Sequence, residues 1–176
     1  SMIGAPAAYA STLGRGVASQ HKTRVAVIDS GVSVDHPDLK DVIASENGKN
    51  LGWDFILKTN KMIDENGHGT HVAGLIGAST NNSLGVSGTC FNSCEIIPYR
   101  VLDKDGKGDI SLIYNALQLA IKEGAEVANL SLGYKVDVWV KKKPLELEIL
   151  REAIANNVVI VIAAGNNNME LGYLRG

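Results

Sequence analysis

The sequence predicts an α/β fold: a mainly parallel sheet with helices on both faces, in three layers. Two observations carry this. Four short apolar runs rich in Val and Ile mostly lack strict polar alternation, and helical patterns fall between them.

The first run is Arg24 to Asp29, the second Glu95 to Leu102, the third Glu126 to Leu132 and the fourth Val158 to Ala164. A helix is expected from about Gly67 through His71-Val72-Ala73-Gly74-Leu75-Ile76. A second, Ile110 to Glu123, lines up Ile110, Ile113, Leu117 and Ile121 on one face, with Asp109 as N-cap and Gly124 past its end. A third starts after Pro144 and runs through Leu145, Ile149, Leu150, Ala153 and Ile154. In sheets of this kind functional groups gather beyond the carboxyl ends of the strands. That rule points to Asp29, to Ser131 through Gly133, and to Gly165-Asn166.

The 176 residues suit one domain, spanning 1–176. A hydrophobic share of 45% with 20% charged residues is the balance of an ordinary globular protein, and a net charge of −2 gives no pull toward nucleic acid or membrane surfaces. No apolar run approaches bilayer length and no signal-peptide pattern opens the chain. Ser1-Met2 reads as a cloning junction, which leaves an upstream leader or pro-region open. Cys90 and Cys94 suit either a short-loop disulfide or two free thiols, while zinc lacks two further ligands nearby. Lys141-Lys142-Lys143 reads as a solvated loop.

Asp29 ends a buried run and precedes Ser30-Gly31, so it stands where a strand emerges and the chain turns. Taken alone, it reads first as an Asp that caps a turn or helix. His68 lies in Asn66-Gly67-His68-Gly69-Thr70-His71-Val72-Ala73-Gly74, with glycines on both sides that leave room for a partner or substrate. The positive end of a helix dipole opposes a charged imidazole there, and a carboxylate such as Asp29 offsets that effect. His71 follows at a spacing of three, shorter than the four of the helical zinc motif, so a packing and hydrogen-bonding role is expected for it.

Val25 to Gly31 followed by His36-Pro37-Asp38-Leu39 resembles the Asp region of the subtilisin (subtilase) family. Asn66 to Gly74 resembles its His region, Ser131-Leu132-Gly133 its substrate-pairing strand, and Ala163-Ala164-Gly165-Asn166 its oxyanion-asparagine segment. Ile3-Gly4-Ala5-Pro6 is similar to its lead-in helix. These matches occur in the family's order up to about Asn166. The resemblance implies a serine endopeptidase with Asp29 and His68 as two members of an Asp-His-Ser triad. It makes Asn166 the oxyanion donor and Ser131, Leu132 and Gly133 a backbone edge for a peptide or protein substrate. It also implies structural calcium at Asp38, Thr80, Asn82, Leu84 and Val86, although the family's N-terminal side-chain ligand has no counterpart here.

No segment matches the family's Gly-Thr-Ser nucleophile. Gly69-Thr70 leads into His71, and Ser87-Gly88-Thr89 into Cys90. The domain is thus expected to be incomplete, and this chain alone inactive. A proteolytic cut, a truncated piece, or a binding or scaffold module that lost the chemistry would each account for this. An incomplete sheet exposes the edge of Val158 to Ala164, so a complementary C-terminal fragment or a second copy is expected to cover it. Tyr134 after Gly133, and Lys135 to Pro144 with Trp139, read as a bulkier pocket rim and a lengthened loop. Secretion is the family habit, with intracellular relatives as the alternative. No glycine-rich phosphate loop follows the first strand, which argues against a nucleotide-binding domain.

Overall fold

The structure is a computed structural model and describes residues 21–133 and 144–166. The expected lead-in helix at Ile3 to Pro6, the Tyr134 rim and most of the Lys135 to Pro144 loop lie outside the described residues.

Seven strands and three α-helices follow one another in the described chain. They are β1 (Thr23–Asp29), β2 (Ser45–Glu46), β3 (Lys49–Asn50), β4 (Trp53–Asp54), α1 (His68–Gly77), β5 (Cys94–Arg100), α2 (Ile110–Lys122), β6 (Val127–Leu130), α3 (Pro144–Ala155) and β7 (Val159–Ile162). A short 3-10 turn at Lys40–Val42 precedes β2, and β2 and β3 form a small antiparallel hairpin around Asn47-Gly48. The main sheet has the order β4-β5-β1-β6-β7 and every pairing in it is parallel.

Because alternate side chains of a strand point to opposite faces, β1 feeds two cores at once. Val25 and Val27 pack with Val72 and Ala73 of α1, with Ile96 of β5 and with Leu39 and Val42. Ala26 and Ile28 face the other way, onto Ala116, Leu117 and Ala120 of α2 and Ile149 and Ala153 of α3. The three layers follow directly. A central strand flanked by covered faces must be apolar on both, which is why β1 reads as an unbroken run.

The helices begin and end as their sequence requires. Asp109 accepts the Ser111 N–H at 2.8 Å and so caps α2, which ends at Lys122 before Gly124. The face of α2 that is fully buried is Ala116, Leu117 and Ala120; Ile113 and Ile121 sit at its partly exposed margins. β5, β6 and β7 are shorter than their apolar runs. Leu102 and Ser131 to Leu132 leave the sheet before their runs end, and these departing residues form the walls of a cleft.

Two features have no counterpart in the expected set. β4 adds a fifth strand beside β5, and Arg100 at the end of β5 is buried, with only 1% of its side chain exposed. Its guanidinium donates to Asp54 Oδ2 at 3.2 Å and to Glu65 Oε2 at 2.6 Å, linking β4, β5 and the loop that leads into α1. Cys90 and Cys94 form a disulfide, closing the loop that enters β5.

Candidate active site

β1 and α1 present the two central side chains. Asp29 is the last residue of β1 and is fully buried, whereas His68 is the first residue of α1 and its side chain is 47% exposed. The imidazole Nδ1 donates to Asp29 Oδ1 at 2.7 Å. The same oxygen accepts the Ser30 N–H at 2.7 Å. With Nδ1 occupied by the carboxylate, Nε2 is the nitrogen left for exchange with a substrate or nucleophile. A buried carboxylate orienting a half-exposed imidazole is the arrangement that general acid–base catalysis requires.

Two glycines allow the approach. A Cβ on Gly69 would lie 2.1 Å from the Gly31 carbonyl oxygen, and one on Gly31, at φ +104°, would lie 2.0 Å from the carbonyl oxygen of Ile63. A larger residue at Gly69 would push the start of α1 away from the end of β1, and one at Gly31 would displace the loop at Ile63. Gly69, next to His68, is required for this reason.

His68 opens onto a cleft of about 490 Å³ lined by Asn66, Leu102, Ile110, Ile113 and the segment Ser131 to Gly133. Ser131 Oγ accepts from the Asn129 side-chain amide at 2.9 Å, which ties the exit of β6 to its own strand. Asn66 donates to the Lys104 carbonyl at 2.9 Å and accepts the His68 N–H at 3.2 Å, joining the two rims of the cleft. The structure thus brings Asp29, His68, Ser131, Leu132 and Gly133 to one site. Asn166 follows β7 on exposed chain and is not among the described residues that line this cleft.

Asp38 lies apart, buried beneath the loop 80–86. Its two oxygens accept from the Asn82 side-chain amide at 2.7 Å and from the Val86 N–H at 2.9 Å. Those bonds, Asn82 foremost, hold its carboxyl below the usual carboxylate range against the opposing effect of burial. Thr80 is also buried, while Leu84 and Val86 are exposed on the same loop. A buried ionised carboxylate beside an amide that offers its oxygen when turned over has the oxygen chemistry a hard cation takes. No group of three or more His, Cys, Asp or Glu suited to a metal occurs among the described residues. His71 differs from its expected packed role. It is exposed beside Thr70 and Gly74, with its backbone N–H on the Gly67 carbonyl at 3.0 Å.

Ser30, Asp64 and Asn66 hold this arrangement together and were not singled out by sequence reasoning. The available signal was their position: Ser30 directly after Asp29, and Asp64 and Asn66 in the turn that enters α1.

Comparison with known proteins places the whole described region in one group. A family model described as the subtilase family matches residues 20–174. An intracellular serine protease of Paenibacillus polymyxa is 38% identical over 178 residues, covering 98% of this chain and 50% of that protein. Thermitase of Thermoactinomyces vulgaris is 36% identical over 150 residues, covering 85% of this chain and 50% of the relative. Subtilisin E of Bacillus subtilis is 38% identical over 144 residues, covering 81% of this chain and 34% of the relative. The chain spans about half the length, or less, of these relatives.

Proposed function

The chain belongs to the subtilase family, and from that premise we propose that it supplies the acid–base half of a serine endopeptidase. The observation that carries the reading is the 2.7 Å bond from His68 Nδ1 to buried Asp29, set at the mouth of a cleft bordered by Ser131 to Gly133. His68 Nε2 takes the proton of the attacking serine hydroxyl and returns it to the leaving amine, while Asp29 fixes the ring and stabilises its charged form. The serine comes from a segment outside these 176 residues, since no Gly-Thr-Ser segment occurs in them. On this reading the 176 residues alone do not hydrolyse peptides. Asn166 donates its side-chain amide to the tetrahedral oxyanion, and the backbone of Ser131, Leu132 and Gly133 pairs with an extended peptide.

The exposed strand β7 is covered by the segment that completes the domain or by a second copy of the chain. Calcium, held by Asp38 and Asn82 with backbone carbonyls of Thr80, Leu84 and Val86, stiffens the loop that carries them. A melting temperature that rises with calcium and falls with chelator is expected, and indifference to both would remove the ion. The Cys90–Cys94 disulfide favours an oxidising compartment, hence export, although two relatives are named intracellular proteases.

The test is peptide hydrolysis by the protein as its gene encodes it. His68→Ala is expected to lower turnover by on the order of 10⁴-fold or more. Undiminished hydrolysis in that variant would overturn the mechanism. Absence of a serine-bearing segment from the encoded protein would turn the reading to a binding module.

A further inference from the structure

We propose that Ser30 and Asp64 form a positioning clamp that holds His68 in register with Asp29; the catalytic part of this inference rests on the protease reading above.

The beginning of α1 presents open donors. A helix leaves its first N–H groups without internal acceptors, and a capping side chain usually meets one of them. The N-cap here is Gly67, which has no side chain to do so. Each donor nevertheless has a partner. The His68 N–H goes to Asn66 Oδ1 at 3.2 Å, that of Gly69 to Ser30 Oγ at 2.9 Å, and that of Thr70 to Asp64 Oδ2 at 2.9 Å. Ser30 and Asp64 replace the missing cap from outside the helix.

These two residues are themselves joined. Ser30 Oγ donates its hydrogen to Asp64 Oδ1 at 2.9 Å, so the hydroxyl accepts from the helix and donates to the carboxylate at the same time. Asp64 accepts four further bonds, from the N–H groups of Asn66, Gly67 and Thr70 and from the Thr70 hydroxyl. Burial pushes its carboxyl up, and the bonds from the Thr70 hydroxyl, the Gly67 and Thr70 N–H groups and the Ser30 hydroxyl more than reverse that. Negative charge is favoured at a helix N-terminus, so an ionised Asp64 suits its place.

The geometry then couples to the site. Adjacent residues Asp29 and Ser30 bind adjacent residues His68 and Gly69, so the dyad bond has a parallel tie one residue along. Where Gly69 and Gly31 already approach within contact, loss of that tie lets the start of α1 slide relative to the end of β1. A small displacement of a catalytic group costs turnover with little effect on substrate binding.

The experiment compares Ser30→Ala, Ser30→Thr and Asp64→Asn in the protein as its gene encodes it. Three readouts are taken: a thermal melt, kcat and KM for a peptide, and the low-field proton signal of His68 Nδ1–H on Asp29. Ser30→Ala is expected to melt cooperatively, to lose about tenfold in kcat with KM within about twofold, and to weaken the low-field signal. Ser30→Thr, which keeps the hydroxyl, recovers most of the loss, and Asp64→Asn behaves as Ser30→Ala does. A folded Ser30→Ala with unchanged kcat and signal overturns the clamp, as does a Ser30→Thr no better than Ser30→Ala. A Ser30→Ala protein that fails to fold marks a structural strut and overturns it too. If the unmodified protein hydrolyses no peptide, the protease reading fails, while the proton signal still decides the clamp.

Discussion

The side chain of Asp109 satisfies one of the N–H donors that α2 leaves open at its start. Its replacement by alanine is expected to lower stability by about 1 kcal/mol, read from the urea midpoint. An unmoved midpoint would mean that packing of Ala116, Leu117 and Ala120 holds the helix unaided. Asp38 makes a prediction of a different kind. Its carboxyl is held low by Asn82 and Val86, so its folded value lies under its unfolded one of about 3.9. The stability it contributes is therefore present in full above the unfolded value and is lost as pH falls through the folded one. Asp64, also held low, acts in the same direction. Melting temperatures taken from pH 5 downward should fall most steeply below the ordinary carboxylate range, and Asp38→Asn should flatten that fall. A slope identical in the variant would show that other carboxylates account for it.

Between elements, Arg100 makes a buried link. It joins β5 to Asp54 of β4 and to Glu65, and Asp54 also accepts the N–H groups of Ile56 and Leu57. Removing the cation strands a buried carboxylate, so Arg100→Met is expected to cost about 3 kcal/mol or more in urea unfolding. Adding Asp54→Asn should return part of that, giving a double-variant cost below the sum of the singles. A simple sum would mean that the two side chains are not coupled. This link also marks where sequence reading stops. β1 and β5 were legible because strands buried on both faces must be apolar throughout. β6 and β7 were legible through their apolar runs, although β7 stands exposed at the edge of the described sheet. β4 was not, because two residues, Trp53 and Asp54, are too few to show a period, and their sheet partners Tyr99 and Arg100 lie far along the chain. The same contrast holds in the site. Asp29 and His68 stand out through the glycines and apolar runs around them. Ser30 and Asp64 are ordinary polar residues beside turns until the fold brings them together across 34 positions.

Among the described residues, the β7 side of the main sheet is uncovered. Val159, Val161 and Ile162 of β7 are 59%, 47% and 58% exposed, an apolar strand at the edge of the described sheet. Such an edge invites pairing. The 176-residue chain, prepared alone, is expected to elute from gel filtration as a self-associated species and to become a defined complex when the completing segment is added. A well-behaved monomer with a cooperative melt, confirmed by light scattering, would show that β7 needs no cover. The centre of the sheet raises a question of time. β1 lies between β5 and β6, and Arg24 meets Glu95 and Glu126 at separations of 71 and 102 residues. At a synthesis rate of about 5–20 residues per second, the 71 residues between the first contacts of β1 and β5 take roughly 4–14 s to make. During that interval Val25 to Ile28 has emerged with neither neighbour yet made, so the strand that ends in Asp29 is the one most in need of shelter on the ribosome.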